Sequence, residues 1–204
     1  MKTPYDPHSP YAASKAAADH LVRAYHTTYG LPALISNCCN NYGPKQHPEK
    51  LIPHAVHKIL AGLAVPLYGD GQNVRDWIYV LDHCRAIEKM LHAGKPGKTY
   101  LVSAHQTKTN QQCLNILADC MKSLKPGLKW HQCKKKFKLV PDRPGHDKRY
   151  ALDGRQTQTD LGWIPLESFE SGIHKTITWY LNNSRWCKQA VKKGYKFERL
   201  GTTR

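Results

Sequence analysis

Four stretches carry apolar residues at three- and four-residue spacing and read as helices: 51–63, 81–94, 110–124 and the interior of 167–183. In the third, Leu114, Leu117 and Met121 fall on one face; in the fourth, Ile173, Ile177 and Tyr180 do. Residues 9–29 are Ala-rich with long side chains, and their ends are marked: Ser9 can cap, Pro10 suits the first turn and Gly30 suits the stop. Between the helices lie short apolar or β-branched runs that predict strands at 32–37, 65–71, 74–80, 97–103 and 136–141, the second ending in a turn. The Asn-, Gly- and Pro-rich segment 40–50 predicts a loop, and 142–153 predicts a polar loop leading into a short helix. Beyond Trp186 the chain is basic and is expected to be poorly held. The order is alternating α/β, with strands too few and too short for a complete doubly wound domain. No internal repeat interrupts it.

Length permits one large domain or two small ones: the chain has 204 residues. No run approaches the roughly 18 unbroken apolar residues of a membrane span, and the opening "MKTPYDPHSP" has no apolar core of a signal peptide. Lys and Arg outnumber Asp and Glu by 31 to 15, a formal charge of +16 that favours anionic partners. The charge is scattered. Its densest run, "KKKFK" at 134–138, fits a solvated strand edge, and no nucleic-acid-binding motif accompanies it. The seven cysteines, at 38, 39, 84, 113, 120, 133 and 187, are odd in number, include an adjacent pair and contain no C-x-x-C. They predict neither a disulfide framework nor a zinc site but free thiols in a reducing cytoplasm. His54 and His57 could share a helix face, yet no acidic or thiol partner lies near them in sequence, so no metal is expected.

One pair carries candidate chemistry. Tyr11 and Lys15 are four residues apart in "SPYAASK", about 6 Å along a helix and on one face of it. A phenol ordinarily titrates near pH 10, and an adjacent ammonium favours its phenolate form. Such a pair can serve as a general base. The spacing also occurs in many ordinary helices, so its context must decide.

That context is "SPYAASKAAADHLVRAYHTTYGLP", "NCCNNYGPKQHPEKLIP", "VPLYGDGQNVRDWIYVLDH" and "DRPGHDKRYALD", spread over residues 3–182. With these segments the chain resembles the extended short-chain dehydrogenase/reductase family and, within it, the dTDP-glucose 4,6-dehydratases. The first segment is shared by the whole group; "PEKLIP", "RDWIYV" and "DRPGHD" together are specific to the dehydratases. The resemblance implies the C-terminal part of an NAD-binding Rossmann-type domain, over 1–38 and 72–94, plus a smaller α/β nucleotide-sugar-binding domain over 39–71 and 95–204. It implies that Tyr11 is the base that starts oxidation at sugar C4, that Lys15 tunes it and holds the nicotinamide ribose, and that Asn41 faces the NAD cofactor. Asn40 would contact the sugar nucleotide. Lys50, Leu51, Pro66, Leu67 and Tyr68 would line the nucleotide pocket. Arg75 and Arg143 would hold the diphosphate as paired guanidinium forks do, with Asn110, Asp142, Pro144, Gly145 and His146 nearby.

The reaction implied converts dTDP-glucose to dTDP-4-keto-6-deoxyglucose by oxidation, loss of water and hydride return, in a cytoplasmic homodimer with no membrane or nucleic-acid partner. A complete member opens with a Gly-rich turn for the NAD pyrophosphate and carries a Thr-Asp-Glu segment before the Tyr. Neither occurs here: "GDG" at 69–71 and "GKPG" at 94–97 lack the spacing. The expectation is therefore a C-terminal fragment, inactive by itself. Leu81, where an acidic residue is usual, and Cys39, where Ser is usual, are minor departures. The alternatives are a nucleotide-sugar 4-epimerase or decarboxylase fragment, a non-catalytic nucleotide-sugar-binding remnant, and a nucleic-acid-binding module motivated only by the charge.

Overall fold

The computed structural model describes residues 4–132, 136–142 and 144–192. In chain order the elements are α1 (Pro10–Tyr29), β1 (Ile35–Cys38), β2 (Asn40–Tyr42), α2 (Leu51–Leu60), β3 (Val65–Tyr68), β4 (Val74–Tyr79), α3 (Val80–Ala93), β5 (Thr99–Val102), β6 (Thr107–Thr109), α4 (Asn110–Leu124), a 3-10 turn (Lys129–Gln132), β7 (Phe137–Val140), β8 (Arg149–Tyr150), α5 (Arg155–Leu161), α6 (Phe169–Asn182) and α7 (Ser184–Lys192). The class is α/β. β1 pairs with β5 and β3 with β7, both in parallel; β4 is flanked by β2 in parallel and β6 antiparallel, and it also takes β8 in parallel.

Local chemistry sets the helix ends. Ser9 Oγ accepts the Ala12 N–H at 3.1 Å, and Gly30, at φ 68°, closes α1 by donating its N–H to the His26 carbonyl. Thr109 and Gln112 form a reciprocal capping box at the start of α4. Two buried clusters follow from the periodic faces. The larger gathers Ile52, Val56 and Ile59 of α2, Leu114 and Leu117 of α4, and Ile173, Ile177 and Tyr180 of α6 around Tyr42 and Trp77. The smaller joins Ile78, Ala86 and Met90 to Tyr100, Val102 and Trp163. By contrast, α1 buries only Ala16. It is held to the β1–β5 sheet by polar ties: Asn37 Nδ2 donates to Asp19 at 2.9 Å and the Arg23 guanidinium donates to Thr99 Oγ1 at 3.1 Å.

Several boundaries differ from the sequence expectations. The segment 40–50 is not wholly loop: Asn40–Tyr42 is a strand, because Tyr42 is drawn into the larger core and the backbone finds partners along β4. The polar segment 142–153 likewise contains β8, paired to Val74 and Arg75. The first strand runs over 35–38 rather than 32–37. Residues after Trp186 continue as α7 to Lys192, since Trp186 stacks edge-on against Trp179 at 5.1 Å and Cys187 is buried. Of the lysine run, residues 134–135 lie outside the described residues, as do Cys133 and 193–204; Lys138 is exposed on β7. The six described cysteines are free. Among the described residues no helix is long and apolar enough to cross a membrane, and no cluster of three or more His, Cys, Asp or Glu could hold a metal.

Asp82, fully buried at the start of α3, accepts the backbone N–H groups of Leu166 (3.2 Å) and Glu167 (3.0 Å) and pairs with Arg85. It fastens the segment before α6 to α3. Replacing Asp82 by Ala orphans these donors and is expected to lower the unfolding free energy by about 2–4 kcal/mol. Urea denaturation of the two proteins measures this.

Candidate active site

Both members of the Tyr11–Lys15 pair are solvent-accessible on α1, Tyr11 at 75%. Below them the chain leaves β1 at Cys38 and enters β2 at Asn40, crossing from one sheet to another. Cys39, between the two, still donates its N–H to the Val102 carbonyl at 3.0 Å. Burial pushes the Cys38 thiol up, an effect offset in part by its hydrogen bond from Asn41 and least by the Lys15 ammonium. Asn41 Nδ2 donates to Cys38 Sγ (3.2 Å) and to the Cys39 carbonyl (3.3 Å). Tyr150 reaches over from β8 and donates its phenol to the Cys38 carbonyl at 3.1 Å. The residue is 38% exposed, but its hydroxyl is turned onto the backbone. Burial first, then negative charge on Cys38, Cys39, Tyr11 and Asp147, pushes this phenol up to about 12. Tyr11, Lys15, Cys38, Asn41 and Tyr150 thus form one constellation at the β1–β2 crossing.

A second group adjoins it. Gly145, at φ 64°, sits so close to the chain before α1 that a Cβ there would lie 2.9 Å from the His8 carbonyl. The 142–148 loop is therefore seated on the approach to Tyr11. Its other side is tied to β4: Arg75 donates to the Asp147 carbonyl at 2.7 Å, Val74 N–H to that of Lys148 at 2.8 Å, and Asn73 Nδ2 to that of Asp147 at 3.3 Å. Asp142 and His146 pair at 2.6 Å. A recess of about 450 Å³ opens between Asp70, Gln72, Asn73, Asp142, His146 and Lys148. Asn110, nearly buried at the start of α4, donates its backbone N–H to the Asn73 carbonyl at 3.0 Å, which sets it at the same turn.

The remaining expected residues are spread more widely. Pro66 and Tyr68 share the face of β3 opposite the core, whereas Leu67 is 1% exposed within the core and presents no side chain to a pocket. Tyr68 pairs with Val140, one residue before the turn into the 142–148 loop. Lys50 precedes α2 and pairs with Glu49 at 2.9 Å, and Leu51 is half-buried against the larger core. Asn40 pairs with Trp77 in β4. Pro144 is exposed, and Arg143 lies outside the described residues. Arg75 and Asp76 do not act as a local ion pair: Asp76 takes Ser103 Oγ at 2.5 Å and the Gln106 N–H at 2.8 Å on the other face of β4. Cys38, His83 and Tyr150 were not singled out from sequence. Their only signal was membership of the quoted segments.

Tyr11 and Lys15 are accessible on α1, and the half-buried Cys38 and Asn41 offer thiol and amide groups at the β1–β2 crossing, groups that could border a ring and a ribose. These are the residues that could hold one end of a dinucleotide. No glycine-rich strand-to-helix turn accompanies them among the described residues: "GDG" links β3 to β4, and "GKPG" follows α3 and leads to β5.

A family model described as GDP-mannose 4,6 dehydratase matches residues 1–176. A dTDP-glucose 4,6-dehydratase of Xanthomonas campestris is 47% identical over 98% of this chain and 57% of its own length. One from Neisseria meningitidis is also 47% identical over 98% of the chain. The chain spans a little over half the length of these curated relatives. Among solved structures, dTDP-glucose 4,6-dehydratase from Bacillus anthracis in complex with NAD is 41% identical, with a TM-score of 0.84 over 93% of this chain and 57% of that one. The Streptomyces venezuelae enzyme, also with NAD bound, is 46% identical with a TM-score of 0.84, over 93% of this chain and 56% of that one. A UDP-glucuronic acid 4-epimerase from Bacillus cereus, 21% identical with a TM-score of 0.77 over 87% of this chain and 54% of that one, shares the fold.

The raised phenol gives a direct measurement. Exposed tyrosines ionise near pH 10, whereas Tyr150 is expected to stay neutral until about pH 12. In an ultraviolet tyrosinate titration, Tyr150→Phe should remove only this late-titrating component. Loss of a component near pH 10 instead would show that the phenol is not held on Cys38.

Proposed function

The chain belongs to the nucleotide-sugar dehydratase family described by the GDP-mannose 4,6 dehydratase model, with dTDP-glucose 4,6-dehydratases as its relatives, and on that premise we propose that it carries the sugar-nucleotide side and the nicotinamide end of a dTDP-glucose 4,6-dehydratase site. The observation that carries this reading is the seating of the 142–148 loop on His8, three residues before Tyr11. It brings a loop expected to hold the diphosphate beside the expected base.

In this reading Tyr11 takes the proton of the sugar C4 hydroxyl, and Lys15 stabilises the phenolate that does so. NAD, when bound, supplies the acceptor that takes the C4 hydride and later returns it. Lys15 and Asn41 border the nicotinamide ribose. Arg75, Arg143 and His146 hold the diphosphate, with Asn110, Asp142, Pro144 and Gly145 shaping the loop around it. Asn40, Lys50, Leu51, Pro66 and Tyr68 border the sugar and base, and Leu67 supports that wall from the core side. Segments 1–38 and 72–94 form the cofactor half; 39–71 and 95–204 form the substrate half, whose β5 pairs with β1 of the other. Leu21, Tyr25 and Tyr29, exposed at four-residue spacing on α1, support pairing of two copies through that helix. Free thiols support a reducing, cytoplasmic setting.

Calorimetry with dTDP tests the substrate side. A saturable heat is expected, weakening as salt rises because a diphosphate is held by cations. His146→Ala should weaken it about tenfold, which corresponds to roughly 1.4 kcal/mol. Absence of heat with the folded chain would remove the proposal. With dTDP-glucose and NAD, the isolated 204-residue chain is expected to form no 4-keto product, since its residues include no glycine-rich turn for the pyrophosphate.

A further inference from the structure

His83, on the first turn of α3, has no place in the site as read from the sequence. Its Nδ1 lies 2.9 Å from Asn41 Oδ1. The chemistry of the neighbours determines where the proton is. A backbone carbonyl only accepts, so the Asn41 atom 3.3 Å from the Cys39 carbonyl must be the amide nitrogen. That nitrogen also donates to Cys38 Sγ. The amide oxygen is thereby turned to His83, and because it too only accepts, Nδ1 must carry hydrogen. A neutral imidazole has one N–H, which leaves Nε2 bare. Nε2 is buried with no hydrogen-bond partner among the described residues. Burial also lowers the basicity of this histidine, in keeping with the neutral ring.

We propose that His83 is a positioning residue for the Tyr11–Lys15 centre: its Nδ1–H fixes the Asn41 amide, and through it the Cys38–Asn41 wall that Lys15 faces. The opposite amide orientation would set Oδ1 against the Cys39 carbonyl, two acceptors with no hydrogen between them. The wall has two further ties. Tyr150 donates to the Cys38 carbonyl, and Gln46 Nε2 donates to the Asn41 carbonyl at 2.8 Å. Both act on the backbone. His83 alone of the three sets the orientation of a side chain. The functional half of this inference rests on reading the wall as the nicotinamide side of a cofactor site; the tautomer and the amide orientation do not.

Two isosteric changes separate this role from packing. His83→Asn sets an amide nitrogen where Nδ1 stands; His83→Gln sets it where Nε2 stands. Long-range proton–nitrogen spectra of the unaltered chain should show His83 as the Nδ1–H tautomer. The Asn41 side-chain amide resonances should hold in His83→Asn and move in His83→Gln. In NADH fluorescence titrations at matched thermal midpoints, His83→Asn should stay near the parent and His83→Gln should weaken binding by about fivefold, the effect of one lost hydrogen bond. An Nε2–H tautomer, or equal behaviour of the two variants, overturns the proposal. Failure of the unaltered chain to bind NADH overturns the cofactor reading and its functional half, while the spectra still decide whether His83 orients Asn41.

Discussion

Asp76 is a carboxylate with no solvent exposure in the middle of β4, the strand that pairs with β2, β6 and β8. A charge in that position is tolerable only if its lone pairs are taken, and the partners that take them organise two loops. Ser103 donates its hydroxyl and Gln106 its backbone N–H; Ser103 Oγ in turn accepts from His105, which is thereby held at φ 54° despite having a side chain. The Gln106 amide continues the chain of contacts, donating to the Glu167 carbonyl and accepting the Phe169 N–H. Asp82 closes the same segment from the other side. The crossing from β5 to β6 and the start of α6 are thus referred to one strand, and the larger core forms where they meet.

The same strand organises the candidate site by simple alternation. Asp76 faces the polar hub, so Arg75 faces the other way, toward β8 and the 142–148 loop. Arg75 and Val74 hold that loop by its backbone carbonyls, and the loop's other side rests on His8. The loop and the segment leading into α1 are thereby tied together through β4. The carbonyls at Val74 and Asp147 hold the Arg75 guanidinium in one orientation.

The long helices were legible because burial repeats every three to four residues: α2, α4 and α6 bury the faces that the spacing of Ile, Leu and Tyr marks. The short strands were not. Asn40–Tyr42 has the composition of a loop, and it is a strand only because Tyr42 is pulled into the core and β4 offers free backbone groups. Arg149–Tyr150 and Thr107–Thr109 are likewise made by their partner, not by their own pattern. Leu67 shows a different limit. A motif can mark a segment as pocket-forming, but the period of two in β3 sends Leu67 inward while Pro66 and Tyr68 go outward. Tyr150 and His83 were hidden for a related reason, since neither its residue type nor its spacing marks a side chain that acts on a distant backbone or amide. The family segments carried the functional reading; composition and charge alone would have left it open.

The Tyr11–Lys15 pair stands on a helix that the core holds lightly. A helix of 20 residues with one buried residue gains little from packing. Its ends are set by Ser9 and Gly30, and its attachment to the sheet by Asp19 and Arg23, groups that exchange protein partners for water at small cost. Leu21, Tyr25 and Tyr29 remain on the surface. The wall beneath the pair is different: Cys38 to Asn41 is fixed by three side chains from three separate segments. The candidate site is therefore a hydrogen-bonded floor beside a lightly attached helix. Any surface that covers the apolar stripe of α1 would act directly on the position of Tyr11, because the same helix carries both. Burial along that stripe and the position of Tyr11 are, in this fold, coupled through one helix.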